Sequence, residues 1–266
     1  MTSTTPINCN HAVNDDFLTN ETVINDTLVS KSLNAADYNP THEAMLARTL
    51  ERIAVKKQQD LRTPDELWIV DHNDVYTLGQ AGKEEHILAR TNTPIIKTDR
   101  GGQVTWHGHG QLVIYWLFDL HSLGWSVRSL VSHAEQAIED VVNACLSGQN
   151  TIYAKARSDA PGVYLYSTID NEDTNPIMLG KIASLGFKIK HGFSYHGIAL
   201  NINCDLAAFN AINPCGYAGM QMLRLSDFID MSGAESLNHS QITQKLIDNI
   251  AQRHTGLIEL RSVATQ

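Results

Sequence analysis

Of the four cysteines in the chain, Cys215 stands in the setting best suited to chemistry. It lies between Pro214, whose ring fixes φ, and Gly216, which reaches backbone conformations closed to other residues, so its thiol would stand on a stiff, tight turn. A nucleophile benefits from being presented in this way. The plain alternative is a cysteine that fills a buried turn, since free cysteines are among the most buried residues. Cys145, on the apolar face of a helical pattern, illustrates that case, and Cys9 and Cys204 are read the same way. A thiol of ordinary pKa, ~8.5, is mostly protonated at neutral pH, so a nucleophile needs a base or a cation beside it. On general chemistry His196 and His107 come first, because Cys/His pairs are the commoner arrangement, and Lys181 ranks behind them.

Three segments concentrate Gly, His, Lys and Cys: RGGQVTWHGHGQ at 100–111, GKIASLG at 180–186, and YHGIALNIN at 195–203 running on to NPCG at 213–216. Glycine-rich stretches of this kind let a backbone approach a ligand closely. Backbone N–H groups near Gly197 or Gly216 are candidates for an oxyanion hole. His107, His109, His196 and Cys215 could be assembled on paper into a zinc set, but His-Gly-His in a glycine-rich loop is a weak ligand spacing, and no metal is expected. No GxxxxGK[ST] phosphate loop is present.

The elements that must position these groups show in the apolar spacing. Asn39-Pro40 reads as a helix start, with Leu46, Leu50, Ile53 and Leu61 roughly on one face. Short extended runs follow at 67–70, 75–78, 95–98 and 112–118, the last too apolar for an exposed edge. From Ser126, apolar residues recur at three and four positions through Cys145, the strongest helical signal in the chain. Further strands are expected at 162–166, 181–185 and 198–203, with a polar hairpin loop across 167–179, and a last helix through Ile242, Leu246 and Ile250 stops near Gly256. Strands and helices mix without a βαβ alternation, which predicts an α+β fold of mixed sheets flanked by helices. Residues 1–30, rich in Thr, Asn, Asp and Ser, read as a flexible N-terminal extension, and 31–266 as a single domain with no internal break.

Composition removes several classes of function. The 266 residues carry 20 Lys and Arg against 29 Asp and Glu, a net charge of −9, where a phosphate-backbone binder should lean the other way, so no nucleic acid partner is expected. The apolar run 112–118 is far short of the ~20 residues that span a bilayer, and no membrane association is expected. The first basic residue is Lys31, after several acids, which argues against a signal or transit peptide and for the cytoplasm, with free thiols rather than disulfides.

Taken together, the segments resemble the lipoyl(octanoyl) transferase family. RGGQVTWHGHGQLVIY at 100–115 is similar to its RGGxxTxHxxGQxxxY signature, GKIASLG to its central lysine motif, and HGIALNINCDLAAFNAINPCGYAG at 196–219 to its nucleophile segment. Weaker likeness, such as DHNDVYTLG at 71–79, extends the match over about 33–230. The resemblance implies a fold related to the catalytic domains of biotin and lipoate protein ligases. It implies a reaction too: octanoyl passes from octanoyl-acyl carrier protein to a lysine of lipoyl domains, in the E2 subunits of 2-oxoacid dehydrogenases and the glycine-cleavage H protein, with no cofactor. By the same matching Cys215 is the acyl-thioester nucleophile and Lys181 its acid/base partner, while Arg100, Gly101, Gly102, Gln103, Val104, Thr105, Trp106, His107, Ser184, Leu185, Gly186, Gly197, Ile198 and Ala199 line the acyl site. Trp106 and Leu185 would be walls for the chain. The N-terminal extension and the long segment before Lys181 depart from the family pattern, the second in a place that could alter docking.

An acidic carrier protein meeting a chain at −9 needs a local basic patch, for which Lys97, Arg100, Lys188, Lys190 and His191 are candidates. Two other readings stand beside this one. An ATP-dependent lipoate or biotin ligase relative would share the fold and need nucleotide. A non-catalytic binding module would survive thiol alkylation.

Overall fold

The structure, a computed structural model, describes residues 21–168, 175–233 and 236–261. In chain order the elements are β1 (Glu21–Asn25), β2 (Leu28–Ala36), α1 (Tyr38–Gln59), β3 (Asp65–His72), β4 (Val75–Leu78), β5 (Ile95–Lys97), β6 (Val104–His107), β7 (Gln111–Leu117), α2 (Leu120–Leu123), α3 (Val127–Cys145), β8 (Ile152–Ala156), β9 (Val163–Ser167), β10 (Ile177–Lys190), β11 (Phe193–Asn201) and α4 (His239–His254), with short 3-10 turns between them. A large sheet runs β1-β2-β3-β7-β11-β10-β9-β8 and a small one β5-β4-β6. β2/β3 and β4/β5 are parallel and the other neighbours antiparallel, the mixed α+β arrangement that the pattern predicts.

The apolar run at 111–117 lies mid-sheet as β7, buried at every position, because a strand without an exposed face must be covered on both sides. One face of the sheet packs on α3 and α4 through Leu130, Ala134, Ile138, Ile242 and Leu246. The other packs on α1, where Met45 meets Trp68, Val113 and Tyr195. Tyr76, Leu78 and Trp106 of the small sheet form a third cluster with Phe209 and Ile212. Ser126 caps α3 by accepting the Ser129 N–H, which is why the helical period starts where it does. Among the described residues no helix is long and apolar enough to cross a membrane.

Several expectations change. Residues 21–30 are not part of an irregular extension: 21–25 form β1, and 28–36 form β2, which pairs in parallel with β3. That pairing is long-range, so the polar composition of the segment does not reveal it. Residues 1–20 lie outside the described residues. Helix α1 starts at Tyr38 with Asp37 as its cap, two residues earlier than Asn39-Pro40 suggests, and Pro40 sits in the first turn, where a missing N–H costs nothing. β8 has too little apolar character to be seen in advance, and β10 and β11 both start earlier in the chain than their patterns indicate. β9 and β10 pair antiparallel, with Ser167 opposite Ile177, as a hairpin requires; 169–174 of its loop lie outside the described residues.

Candidate active site

The site forms where β9 leaves the edge of β10. Pairing between them ends at Ala183 opposite Val163, and beyond it the loop after Arg100 takes over, the Gly101 N–H donating to the Phe187 carbonyl at 3.1 Å. This loop is clamped by its own arginine. The buried Arg100 guanidinium donates to the Thr77 carbonyl (2.7 Å), the Thr77 hydroxyl (3.0 Å), and the carbonyls of Gly101 (2.9 Å) and Gln103 (2.6 Å). Beneath it Gly186 of β10 faces Gly197 of β11, and a Cβ on Gly197 would stand 2.0 Å from the Ile114 carbonyl oxygen, so this crossing admits only glycine.

A cavity of about 350 Å³ opens here. Each residue that the resemblance assigns to the site lines it except Trp106. That ring turns into the small-sheet cluster and packs edge-on against Phe209 with centroids 5.5 Å apart, so Trp106 is not a wall of the cavity. Residues 100–111 read as a glycine-rich loop in the sequence, so neither β6 nor the face on which it carries Trp106 is expected there. Val113, Val131, Leu185, Phe187, Ile198 and Ala199 give the cavity apolar surface, and Tyr38, His107 and Tyr115 add polar groups.

Cys215 and Lys181 meet at this cavity. Lys181 is 2% exposed; its Nζ donates to Cys215 Sγ at 3.0 Å and to the Pro161 carbonyl at 2.8 Å, and lies 5.2 Å from the centroid of the Tyr164 ring. Cys215 has φ +58°, a left-handed conformation unusual for a residue with a Cβ, inside the turn Pro214–Gly216. That turn is held at both ends. The Asn213 N–H donates to the His86 carbonyl, while at 221–223 the chain pairs with the lysine's own backbone, the Lys181 N–H donating to Gln221 O and the Leu223 N–H to Lys181 O, each at 2.8 Å. The approach of two side chains 34 positions apart is thus fixed by main-chain hydrogen bonds.

The histidines take other parts. Among the described residues, Lys181 makes the one side-chain hydrogen bond to Cys215. His107 Nδ1 meets Gln111 Oε1 at 2.7 Å; since the Gln111 amide nitrogen donates to Asn201 Oδ1, its oxygen must accept, and His107 carries its proton on Nδ1. Burial pushes His107 down to about 3 and His72 to about 4, so both rings are neutral. Asp99 is engaged three times, by His196 Nε2 (2.9 Å), His42 Nε2 (3.1 Å) and the Tyr195 hydroxyl, and these bonds, His196 first, hold its carboxyl well below the usual carboxylate range. The ligand atoms of His42, Asp99 and His196 lie within 4.8 Å of one another and are the group among the described residues that could hold a metal ion. His109 instead pairs with Asp71 on the surface, and the paper set of His107, His109, His196 and Cys215 does not assemble. Gly197 lies in the ladder between β7 and β10, and the Gly216 N–H donates to the Asn213 carbonyl, so neither is a free oxyanion donor.

Sequence reading missed Tyr38, Tyr115, Tyr164 and the Pro161-Gly162 turn. The last left a signal, a Pro-Gly pair ahead of a strand, but nothing local says that it faces a lysine 20 positions on. Of the basic candidates, Arg100 is buried in its loop and Lys97 pairs with Glu84 at 3.3 Å, whereas Lys190 and His191 are exposed and Lys188 is half-buried.

In solved structures this architecture is that of lipoate ligases. It is similar to lipoate-protein ligase A bound with ATP (TM-score 0.52, 13% identity, covering 90% of this chain and 88% of that one) and to LipL1 of P. falciparum in complex with lipoate (TM-score 0.51, 13% identity, 88% and 65%). Residues 43–251 match the lipoyl protein ligase A/B catalytic domain, and the chain belongs to that family. Among its curated relatives are an octanoyltransferase of Psychrobacter arcticus, 68% identical across 91% of this chain and 95% of that one, and an octanoyltransferase of Acinetobacter baylyi, 47% identical across 78% and 86%.

Proposed function

We propose that this protein is an octanoyltransferase of protein lipoylation, working through a Cys215 acyl-enzyme with Lys181 as its proton carrier. The observation that carries the mechanism is the Lys181 Nζ–Cys215 Sγ contact of 3.0 Å at a largely apolar cavity. At ~30 Å³ per heavy atom, the share water takes in the liquid, an octanoyl group needs roughly 270 Å³. The cavity's 350 Å³ accommodates it.

The steps follow from the contacts. Lys181 takes the thiol proton, and the thiolate attacks the carbonyl carbon of the donor thioester; the donor's sulfur leaves and recovers the proton from Lys181. An acyl-Cys215 thioester remains. The neutral amine of an acceptor lysine then attacks that carbonyl, Lys181 removes the amine's proton, and the Cys215 thiolate departs to complete the amide. A thioester donor is already activated, so no nucleotide enters. An ATP-driven ligase, by contrast, activates a free acid at phosphorus and has no use for a thiol held by a lysine.

The donor in this reading is octanoyl-acyl carrier protein, and the acceptors are lipoyl domains of 2-oxoacid dehydrogenase E2 subunits and the glycine-cleavage H protein. The acyl-site residues keep the parts that the resemblance gives them, apart from Trp106, and the single catalytic unit expected from residue 31 takes in β1 and β2 from residue 21 as well. The compartment that goes with this chemistry is the cytoplasm, where thiols stay reduced. Octanoyl transfer to an apo-lipoyl domain, measured without nucleotide, tests the reading: transfer at full rate is expected, and a strict requirement for ATP would return the ligase alternative.

A further inference from the structure

The Pro161–Gly162 peptide is held at both ends. Its carbonyl accepts a hydrogen bond from Lys181 Nζ at 2.8 Å, and its N–H donates to Glu135 Oε1 at 3.0 Å. Glu135 belongs to α3, whose neighbouring Ala134 and Ile138 are fully buried against the sheet, so the carboxylate comes from a helix firmly packed on it. The adjacent acid, Glu139, serves elsewhere, on the Ala156 N–H and on Arg261. Glu135 makes no ion pair among the described residues. Burial, with Glu139 adding to it, pushes the Glu135 carboxyl up against the opposing pull of the Gly162 N–H and Lys181, so a half-buried acid is kept here at a cost that a surface position would avoid.

We propose that Glu135 is a positioning residue for the transfer reaction: through the Pro161–Gly162 peptide it fixes the carbonyl that holds the Lys181 amine against Cys215. The proposal rests on the Cys215–Lys181 reading. Without Glu135, the 160–162 turn loses its link to α3, the Pro161 carbonyl is free to tilt, and Lys181 gains room to leave the sulfur. The hydrogen bond is what matters, so glutamine, whose amide oxygen can accept the same N–H, should substitute and alanine should not.

The titratable groups around Cys215 are Lys181 from β10, Tyr164 from β9, Arg100 from its loop, Asp159 on the same cavity, His86 against the Gly216 turn and the adjacent Tyr217, and those facing Glu135 are Lys181 and Glu139. The full-length protein, Glu135→Ala, Glu135→Gln and Lys181→Ala are compared in two measurements: the pH midpoint of iodoacetamide alkylation at Cys215, and kcat and KM for octanoyl transfer from a small octanoyl thioester. Lys181→Ala should raise the alkylation midpoint, and failure to do so would overturn the dyad itself. With that shift in hand, Glu135→Ala should raise the midpoint in the same direction and by less, since Lys181 is displaced and not removed. Its kcat should fall about tenfold, less than the ~10²–10⁴ that loss of the base itself costs, with KM little changed. Glu135→Gln should recover most of both. The proposal fails if Glu135→Ala matches the parent, if it lowers only the melting temperature while the alkylation midpoint stays put, or if glutamine does not rescue.

Discussion

Gly162→Ala is the substitution whose effect the structure specifies most closely. A Cβ at this position would lie 2.4 Å from Lys181 Cε and 2.7 Å from Nζ, with the Ala183 carbonyl oxygen at 2.8 Å on another side. Cε must withdraw by about 1 Å to reach the 3.4 Å of ordinary contact. Starting from an Nζ–Sγ distance of 3.0 Å, a shift of that size away from the sulfur stretches the contact to about 4 Å, the outer limit of a hydrogen bond to sulfur. A misplacement of ~1 Å at a reacting group can cost about 10²-fold, and kcat for octanoyl transfer should fall by that order. Position 162 has φ +137°, so alanine also strains the backbone by ~1–3 kcal/mol, or roughly 2–12 °C in Tm for a chain of this size. The assay is steady-state transfer from a small octanoyl thioester to an apo-lipoyl domain, run well below the melting temperature of the variant, with circular dichroism to establish folding. A folded Gly162→Ala protein with kcat within threefold of the parent would refute the claim that Lys181 acts from its observed place.

Shortening the donor should weaken transfer by ~0.8 kcal/mol per methylene, about fourfold in kcat/KM for each carbon below eight, and a flat response from butanoyl to octanoyl would mean that the chain does not enter the cavity. Stability should fall in acid: His107 at about 3 and His72 at about 4 lie below the ~6.5 of the unfolded chain, so between those values the unfolded state takes up protons that the folded state refuses. The stability present above pH 6.5 is then lost as pH falls to 4, by roughly 3 kcal/mol per histidine, and denaturant titrations of His72→Gln should show a shallower slope. Reversing charge at Lys188 and Lys190 together should raise KM for an acidic carrier-protein donor and spare a small octanoyl thioester, and rising salt should act the same way on the parent. Equal losses with both donors would indicate damage to the acyl site.

The parts of this molecule that were legible in its sequence are those in which chemistry and period are local. The α3 pattern from Ser126 to Cys145 matches the helix Val127–Cys145 because three-and-four spacing and a serine cap are both short-range. β7 is read correctly as a covered strand for the same reason. What stayed hidden depends on distant partners. β2 finds its place by parallel pairing with β3, Lys181 by the strip at 221–223 that returns alongside it, and Trp106 by a cluster that joins Tyr76 and Leu78 to residues as distant as Phe209 and Met222. General chemistry favoured a histidine beside Cys215; the fold instead engages His196 with Asp99 and His107 with Gln111. The motif resemblance supplied the lysine, and the backbone around it shows why it can reach.

The most direct test is intact mass spectrometry of the protein after incubation with an octanoyl thioester and no acceptor. One octanoyl adduct, located on Cys215, is expected in the parent, none in Cys215→Ala, and loss of the adduct when an apo-lipoyl domain is added. An undiminished adduct in Cys215→Ala would contradict the account and move the nucleophile to another residue, with Cys204 the first to examine.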